Sequence, residues 1–292
     1  MARPQMARPQ MAHPLMATIL LARPSNARPS NARLRLLRSV IAPIVAAMMY
    51  LRSLIFNILF YGVTAALAIL VLPTLLMPAA AIRAVARLWG WVTVRLLVIV
   101  GASHRVSGDP HSGDQVIYAA KHQSAWETIV LSLVLRAPVV VLKRELLKLP
   151  LLGLYFQKAG CIAVDRSAGM RALRRLRDDV VAARETGRSI LIFPQGTRVA
   201  PGMTHKYEVG VFALYEATGL PVVPIALNSG HVWGRNSWTK RAGRIEVEFL
   251  PAIAPGLARR EFMARLETAI ETRMAVLDAP YVDDNASTAD GD

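Results

Sequence analysis

Residues 53–82 run for 30 positions without a charged side chain. The first 20 of them precede Pro73, and as a helix rising about 1.5 Å per residue they would extend roughly 30 Å, the thickness of a bilayer's hydrocarbon core. Such a stretch must be given lipid or be buried in protein. It begins too far into the chain, and is too long, for a cleaved leader peptide, and no small-residue cleavage site follows it. Pro73 and Pro78 interrupt the run before a second apolar segment at 79–100. There Arg83, Arg87 and Arg95 fall at multiples of four, near one helical face, and charges are costly at mid-bilayer. Trp89 and Trp91 suit headgroup level. The expectation is a membrane-associated helical hairpin over residues 39–103 that dips into or crosses the membrane. A buried helix pair in a soluble protein is the competing reading.

Charge is distributed just as unevenly. The 292 residues carry 35 Lys and Arg against 20 Asp and Glu, a net +15, yet 53% are hydrophobic, which excludes disorder over the whole length. Twelve Arg and no acidic residue or Lys precede Asp109, so 23 basic and 20 acidic residues, a net +3, remain for 109–292. By the positive-inside tendency the Arg-rich flanks lie on the cytoplasmic side of a cell membrane. No nucleic-acid partner is expected, because the charge lies on a proline-rich tail and beside apolar helices, without a recognition helix or interleaved aromatics. Residues 1–38 open with a crude five-residue repeat rich in Arg and Pro and are expected to form a flexible tail; residues 279–292, acidic and polar, are expected to form another. The single Cys161 permits no intramolecular disulfide, and His104, His111, His205 and His231 lack metal-ligand spacing, so neither metal nor cofactor is expected.

Residues 104–278 alternate short apolar runs with helical patterns. Strands are expected at 115–120, 139–142, 161–164, 189–193, 222–227 and 245–250, and helices at 127–135, 144–157, 168–186, 208–218 and 259–277. The fold class that follows is α/β, a mainly parallel sheet flanked by helices, and in such domains ligands collect at the loops after strand C-termini. Three of those loops hold most of the reactive side chains. After the first strand comes Lys121-His122-Gln123-Ser124-Ala125-Trp126-Glu127, in which Ser124 and Glu127 form a capping box. The box turns the Glu127 carboxylate back toward His122, where it could hold the imidazole in one tautomer; a plain helix cap is the alternative. Val164-Asp165-Arg166 ends another strand. Phe193-Pro194-Gln195-Gly196-Thr197-Arg198 ends a third, with a backbone that can approach a ligand at Gly196 and a bidentate anion clamp at Arg198. No Gly-x-Ser-x-Gly elbow occurs, which disfavours a serine hydrolase.

In order and spacing, His122 with an acid five positions on, Val164-Asp165-Arg166, Phe193 to Arg198 and Val222-Val223-Pro224-Ile225 resemble the four conserved blocks of the 1-acyl-sn-glycerol-3-phosphate acyltransferase family of glycerolipid acyltransferases. The likeness covers about residues 104–230. It implies that His122 is the general base on the sn-2 hydroxyl of a lysophospholipid acceptor, that Glu127 orients it, and that an acyl-ACP or acyl-CoA thioester is attacked directly. It further implies that Arg166, Gln195, Gly196, Thr197 and Arg198 bind the acceptor's phosphate region and that Pro224 shapes the pocket wall. Two positions depart from the family: Glu127 stands where Asp is usual, and Gln195 where Glu is usual. The second removes a charge beside the expected phosphate site and leaves another lyso-lipid, such as a lyso-amino-acid lipid, as a competing acceptor. A membrane-anchored lipid-binding scaffold is the non-enzymatic alternative.

Overall fold

The computed structural model describes residues 31–110, 114–165 and 168–289. Its first element, helix α1 (Asn31–Leu70), begins ahead of the apolar run and passes Pro43 without ending. The part of it before Ala47 belongs to one unit, and everything from Ala47 onward forms a second. A short 3-10 turn (Leu72–Leu76) after α1 contains Pro73, and α2 (Ala79–Leu96) follows Pro78. The residues 39–70 of α1 make the one helix among the described residues that is long and apolar enough to cross a membrane.

The remaining elements are β1 (Ala102–Ser107), β2 (Ile117–Ala120), α3 (Trp126–Val134), β3 (Val139–Lys143), α4 (Leu152–Ala159), β4 (Ile162–Val164), α5 (Met170–Glu185), β5 (Ile190–Ile192), α6 (Gly210–Thr218), β6 (Val222–Leu227), β7 (Gly243–Phe249) and α7 (Arg259–Ala289). The strands join one sheet in the order β1-β7-β6-β2-β5-β3-β4. Every pairing is parallel except β6 with β7. Successive residues alternate between faces. Tyr118, Ala120, Val223, Ile225 and Leu227 therefore pack with Phe56, Phe60, Trp126 and Ile129 on one side. Ile117, Ala119, Val222 and Ala226 pack on the other with Leu176, Val211, Phe262, Leu266 and Ile270 from α5, α6 and α7. This is the α/β architecture expected from the alternation of patterns, and the sheet puts the C-terminal ends of β2, β5, β3 and β4 at one rim.

Four elements differ from expectation, each for a local reason. The strand β1 was not foreseen, because Ala-Ser-His-Arg-Val-Ser is half polar; it is an edge strand that needs only one partner, β7. The helix expected over 144–157 divides into a 3-10 turn (Arg144–Lys148) and α4, since Pro150 cannot donate to a helix and drives Leu149 extended, at φ −67° and ψ 127°. Helix α7 continues to Ala289 through residues expected as an acidic tail. Beyond Leu277 it is held by tertiary contacts that composition does not report: Asp278 meets His231 at 2.8 Å, and the Tyr281 ring stacks on the same imidazole at 4.0 Å. Likewise α1 starts within the segment expected as the N-terminal tail, whose residues 1–30 lie outside the described ones.

Candidate active site

The β2 ladder runs on through Lys121, whose N–H donates to the Ile225 carbonyl, and the chain then turns into α3. At that turn the Glu127 half of the expected capping box forms, although the helix starts at Trp126, one residue later than a Ser124 cap implies: the Glu127 side chain reaches back so that Oε1 accepts from the backbone N–H of Ser124 at 2.6 Å and of Gln123 at 2.7 Å. Ser124 Oγ accepts from the Trp126 N–H at 3.1 Å. The same Oε1 lies 2.8 Å from His122 Nδ1. Glu127 thus caps the helix and orients the imidazole at once, so the two readings of this residue coexist. With Nδ1–H given to Glu127, Nε2 is left as the ring's acceptor. Glu127 is fully buried, whereas His122 keeps 14% of its side chain exposed and lies against Phe193, ring centroids 4.2 Å apart.

The loop after β5 closes over this turn. Val199 N–H donates to the His122 carbonyl at 2.8 Å, and His122 N–H donates to Gln195 Oε1 at 3.3 Å. Gly196 takes φ +67°, a left-handed conformation that costs an L side chain strain, and its N–H bonds the Phe193 carbonyl. His122, Gly196, Thr197 and Arg198 line one cavity of about 920 Å³, near the upper end of the roughly 300–1,000 Å³ usual for ligand sites. Its other walls are largely apolar: Leu67 and Ala68 of α1, Val71 just after it, Ile82, Val85 and Trp89 of α2, Val140 and Leu142 of β3, and Phe156 of α4. Cys161 also lines it, but burial pushes its thiol up to about 11, which removes it as a nucleophile at neutral pH.

Not every expected residue joins this group. Gln195 is buried beneath the loop with its amide turned to the His122 backbone, and its Nε2 has no partner among the described residues. Pro224 lies within β6, opposite Ala119 of β2, and is not among the residues lining the cavity. Arg166 lies outside the described residues; Val164, two positions before it, does line the cavity. Conversely, one participant was overlooked. Ser229, in the short turn after β6, donates from Oγ to Glu127 Oε2 at 2.7 Å, and the neighbouring Gly230 N–H donates to Gln123 Oε1 at 3.0 Å. The rule that directed attention to three strand-terminal loops would have found this fourth one, since β6 was expected at the residues it occupies.

Comparison with known proteins adds the decisive observation: the family model described as Acyltransferase matches residues 103–228, the span that holds the loops after β2, β4 and β5 and ends just before Ser229. That span is what this chain shares with the acyltransferase family. Over 164 residues the chain is 38% identical to the 1-acyl-sn-glycerol-3-phosphate acyltransferase of Pseudomonas aeruginosa, a match covering 56% of this chain and 63% of that protein. It is 30% identical over 169 residues to the protein of the same name from Cocos nucifera, covering 57% and 55%. Against the Escherichia coli protein of that name it is 26% identical over 186 residues, covering 61% and 75%. The chain therefore spans less than two thirds of the first two of these relatives. The chain also shares its fold with the crystal structure of the 1-acyl-sn-glycerophosphate (LPA) acyltransferase PlsC from Thermotoga maritima, at a TM-score of 0.65 and 19% identity, covering 78% of this chain and 97% of that one.

Proposed function

We propose that the protein is a membrane-bound 1-acylglycerol-3-phosphate O-acyltransferase, moving an acyl chain from acyl-ACP or acyl-CoA to the sn-2 hydroxyl of a lysophosphatidic acid and giving phosphatidic acid. The observation that carries this reading is the His122–Glu127 pair at 2.8 Å, opening on an apolar cavity whose polar end is Gly196, Thr197 and Arg198. In the reaction His122 Nε2 takes the acceptor's hydroxyl proton as its oxygen attacks the thioester carbonyl. The carbon–sulfur bond then breaks, and the imidazolium returns the proton to the departing thiolate. Glu127 stabilises the imidazolium, and the Gly196–Arg198 turn, with Arg166, holds the acceptor's phosphate. General-base catalysis of this kind is worth about 10²–10⁴ in rate, the remainder coming from positioning. Gln195 is buried against the His122 backbone and does not line the cavity, so its amide in place of the family's carboxylate gives no ground for a different headgroup.

The membrane assignment rests on α1. Its stripe Ser53, Phe56, Asn57 and Phe60 is buried, with Ser53 Oγ accepting from Lys240 N–H at 2.9 Å and Asn57 Nδ2 donating to the Trp238 carbonyl at 2.8 Å. Leu51, Leu54, Ile55, Ile58 and Tyr61 are exposed on its other sides. The helix so placed offers lipid an apolar surface beside a cavity that takes lipid, with the basic flanks holding the domain on the cytoplasmic side. Purified protein in mixed micelles, given lysophosphatidic acid and a labelled acyl thioester, is expected to form phosphatidic acid. The variant His122→Ala should lose at least a hundredfold in rate while still binding vesicles, and retained turnover would overturn the base assignment.

A further inference from the structure

The reading above gives each group that meets substrate a role, but the Glu127 carboxylate must itself be held. Oε1 is held by three donors, Gln123 N–H, Ser124 N–H and His122 Nδ1, all between 2.6 and 2.8 Å. These fix one oxygen only. The terminal torsion of a glutamate is broad and roughly two-fold, so a carboxylate anchored through a single oxygen can swing or exchange its two ends. We propose that Ser229 is a positioning residue for the acyl-transfer reaction, clamping Glu127 Oε2 so that Oε1 stays aimed at His122 Nδ1 and the imidazole keeps Nε2 turned to the cavity. The proposal rests on the acyltransferase reading and deepens it.

Ser229 suits this role and no direct one. Both it and Glu127 are fully buried, so its hydroxyl meets neither substrate nor solvent and cannot be a nucleophile. Its Oγ donates to Glu127 Oε2 at 2.7 Å, the length of a hydroxyl bonded to a charged acceptor. The turn that carries it is fixed from several directions. Before it, Asn228 Oδ1 accepts from the Glu246 N–H of β7 at 2.8 Å. After it, the Trp233 N–H donates to the Ser229 carbonyl at 2.8 Å, and Gly230 N–H donates to Gln123 Oε1. Gly230 cannot carry a side chain, since a Cβ there would come within 2.8 Å of the Pro201 ring and 3.1 Å of Gln123 Cβ. Two residues on, His231 is bonded to Asp278 of α7. The carboxylate that orients the base is therefore gripped on one oxygen by the loop after β2 and on the other by the loop after β6, so strands on either side of their shared pairing fix one side chain.

The test uses the full-length protein in mixed micelles with lysophosphatidic acid and a labelled acyl thioester. Ser229→Ala is expected to lower kcat about 10–100-fold, the usual cost of losing a partner behind a reacting group, with both KM values within about twofold of wild type. Ser229→Cys, similar in size with a weak donor, should fall between the two and decides the matter if Ser229→Ala does not fold. In a Glu127→Gln background Ser229→Ala should change kcat by less than about threefold, because a residue acting only through Glu127 has nothing left to position. Wild-type kcat in Ser229→Ala or Ser229→Cys, or an undiminished further loss in the Glu127→Gln background, overturns the proposal. A wild-type protein that transfers no acyl chain would instead overturn the activity reading itself, so the two failures are distinguishable.

Discussion

Among the described residues three arginines line the cavity, Arg83, Arg188 and Arg198; Arg188 is spent on the carbonyls of Ala137, Pro138 and Ala159, and Arg198 is the one on the same loop as Gly196 and Thr197. The Arg198 carbonyl accepts from Arg235 Nη1 at 2.9 Å, and among the described residues the Arg198 guanidinium is bonded to no other side chain, which leaves it to an anion. A charge-assisted hydrogen bond to phosphate is worth about 1.5–3 kcal/mol, which converts to roughly 10–100-fold in affinity. Arg198→Ala should therefore raise the acceptor KM by about that factor and leave the thioester KM near wild type. Steady-state kinetics with each substrate varied in turn checks this, and the reverse ordering would move Arg198 to the donor. At Gln195 the same scale of reasoning gives a different result. Its charge difference from the family's usual Glu looked like a change in substrate chemistry, yet the amide is spent on the His122 backbone, and the visible consequence is an orphaned Nε2 under the loop. Sequence alone could not tell these neighbours apart, because adjacent loop residues point in different directions and only the fold determines which meets the ligand.

Among elements, legibility followed how much of the pattern was local. The strand β6 lies at the residues expected from its apolar run, and α3 starts within one residue of the position its capping box implies, because a fully buried central strand and a capped helix both declare themselves within a few residues. The division before α4 was as local as these, needing only the backbone cost of Pro150 weighed against an apolar pattern that continues through it. By contrast, β1 and the last turns of α7 depend on partners far along the chain, β7 and His231, and no window of sequence contains them. The stripe on α1 belongs to the same class. Phe56 is fully buried, edge-on to Trp233 at 5.2 Å, and the Lys240 ammonium approaches both rings. Truncating such a ring costs about 3–5 kcal/mol. Phe56→Ala should thus loosen the segment from Trp233 to Arg241 and admit trypsin at Arg235 and Arg241 under conditions where wild type resists, whereas Ile58→Ala, 63% exposed on the same helix, should not. Digestion rates followed by mass spectrometry separate the two.

For the molecule as a whole, the net +15 and the apolar surface make competing claims on membrane binding. The basic excess lies before Asp109, in the Arg- and Pro-rich N-terminal sequence and along the apolar segments that follow it, while residues 109–292 hold only +3. Attraction between such charges and anionic lipid falls off over the Debye length, about 10 Å at 0.1 M salt and 3 Å at 1 M. Burial of apolar side chains in the acyl region has no such dependence. From Met48 onward the exposed side chains of α1 and the turn after it include Leu51, Leu54, Ile55, Ile58, Ile69, Leu70, Leu76 and Met77, and at about 25 cal/mol per Å² such surface outweighs screened surface charge. The protein should accordingly favour phosphatidylglycerol over phosphatidylcholine vesicles at low salt, lose that preference by 1 M NaCl, and stay bound to both. Release from the vesicles at 1 M NaCl in a flotation assay would mean that the arginines carry the attachment and that the apolar face of α1 is not in lipid.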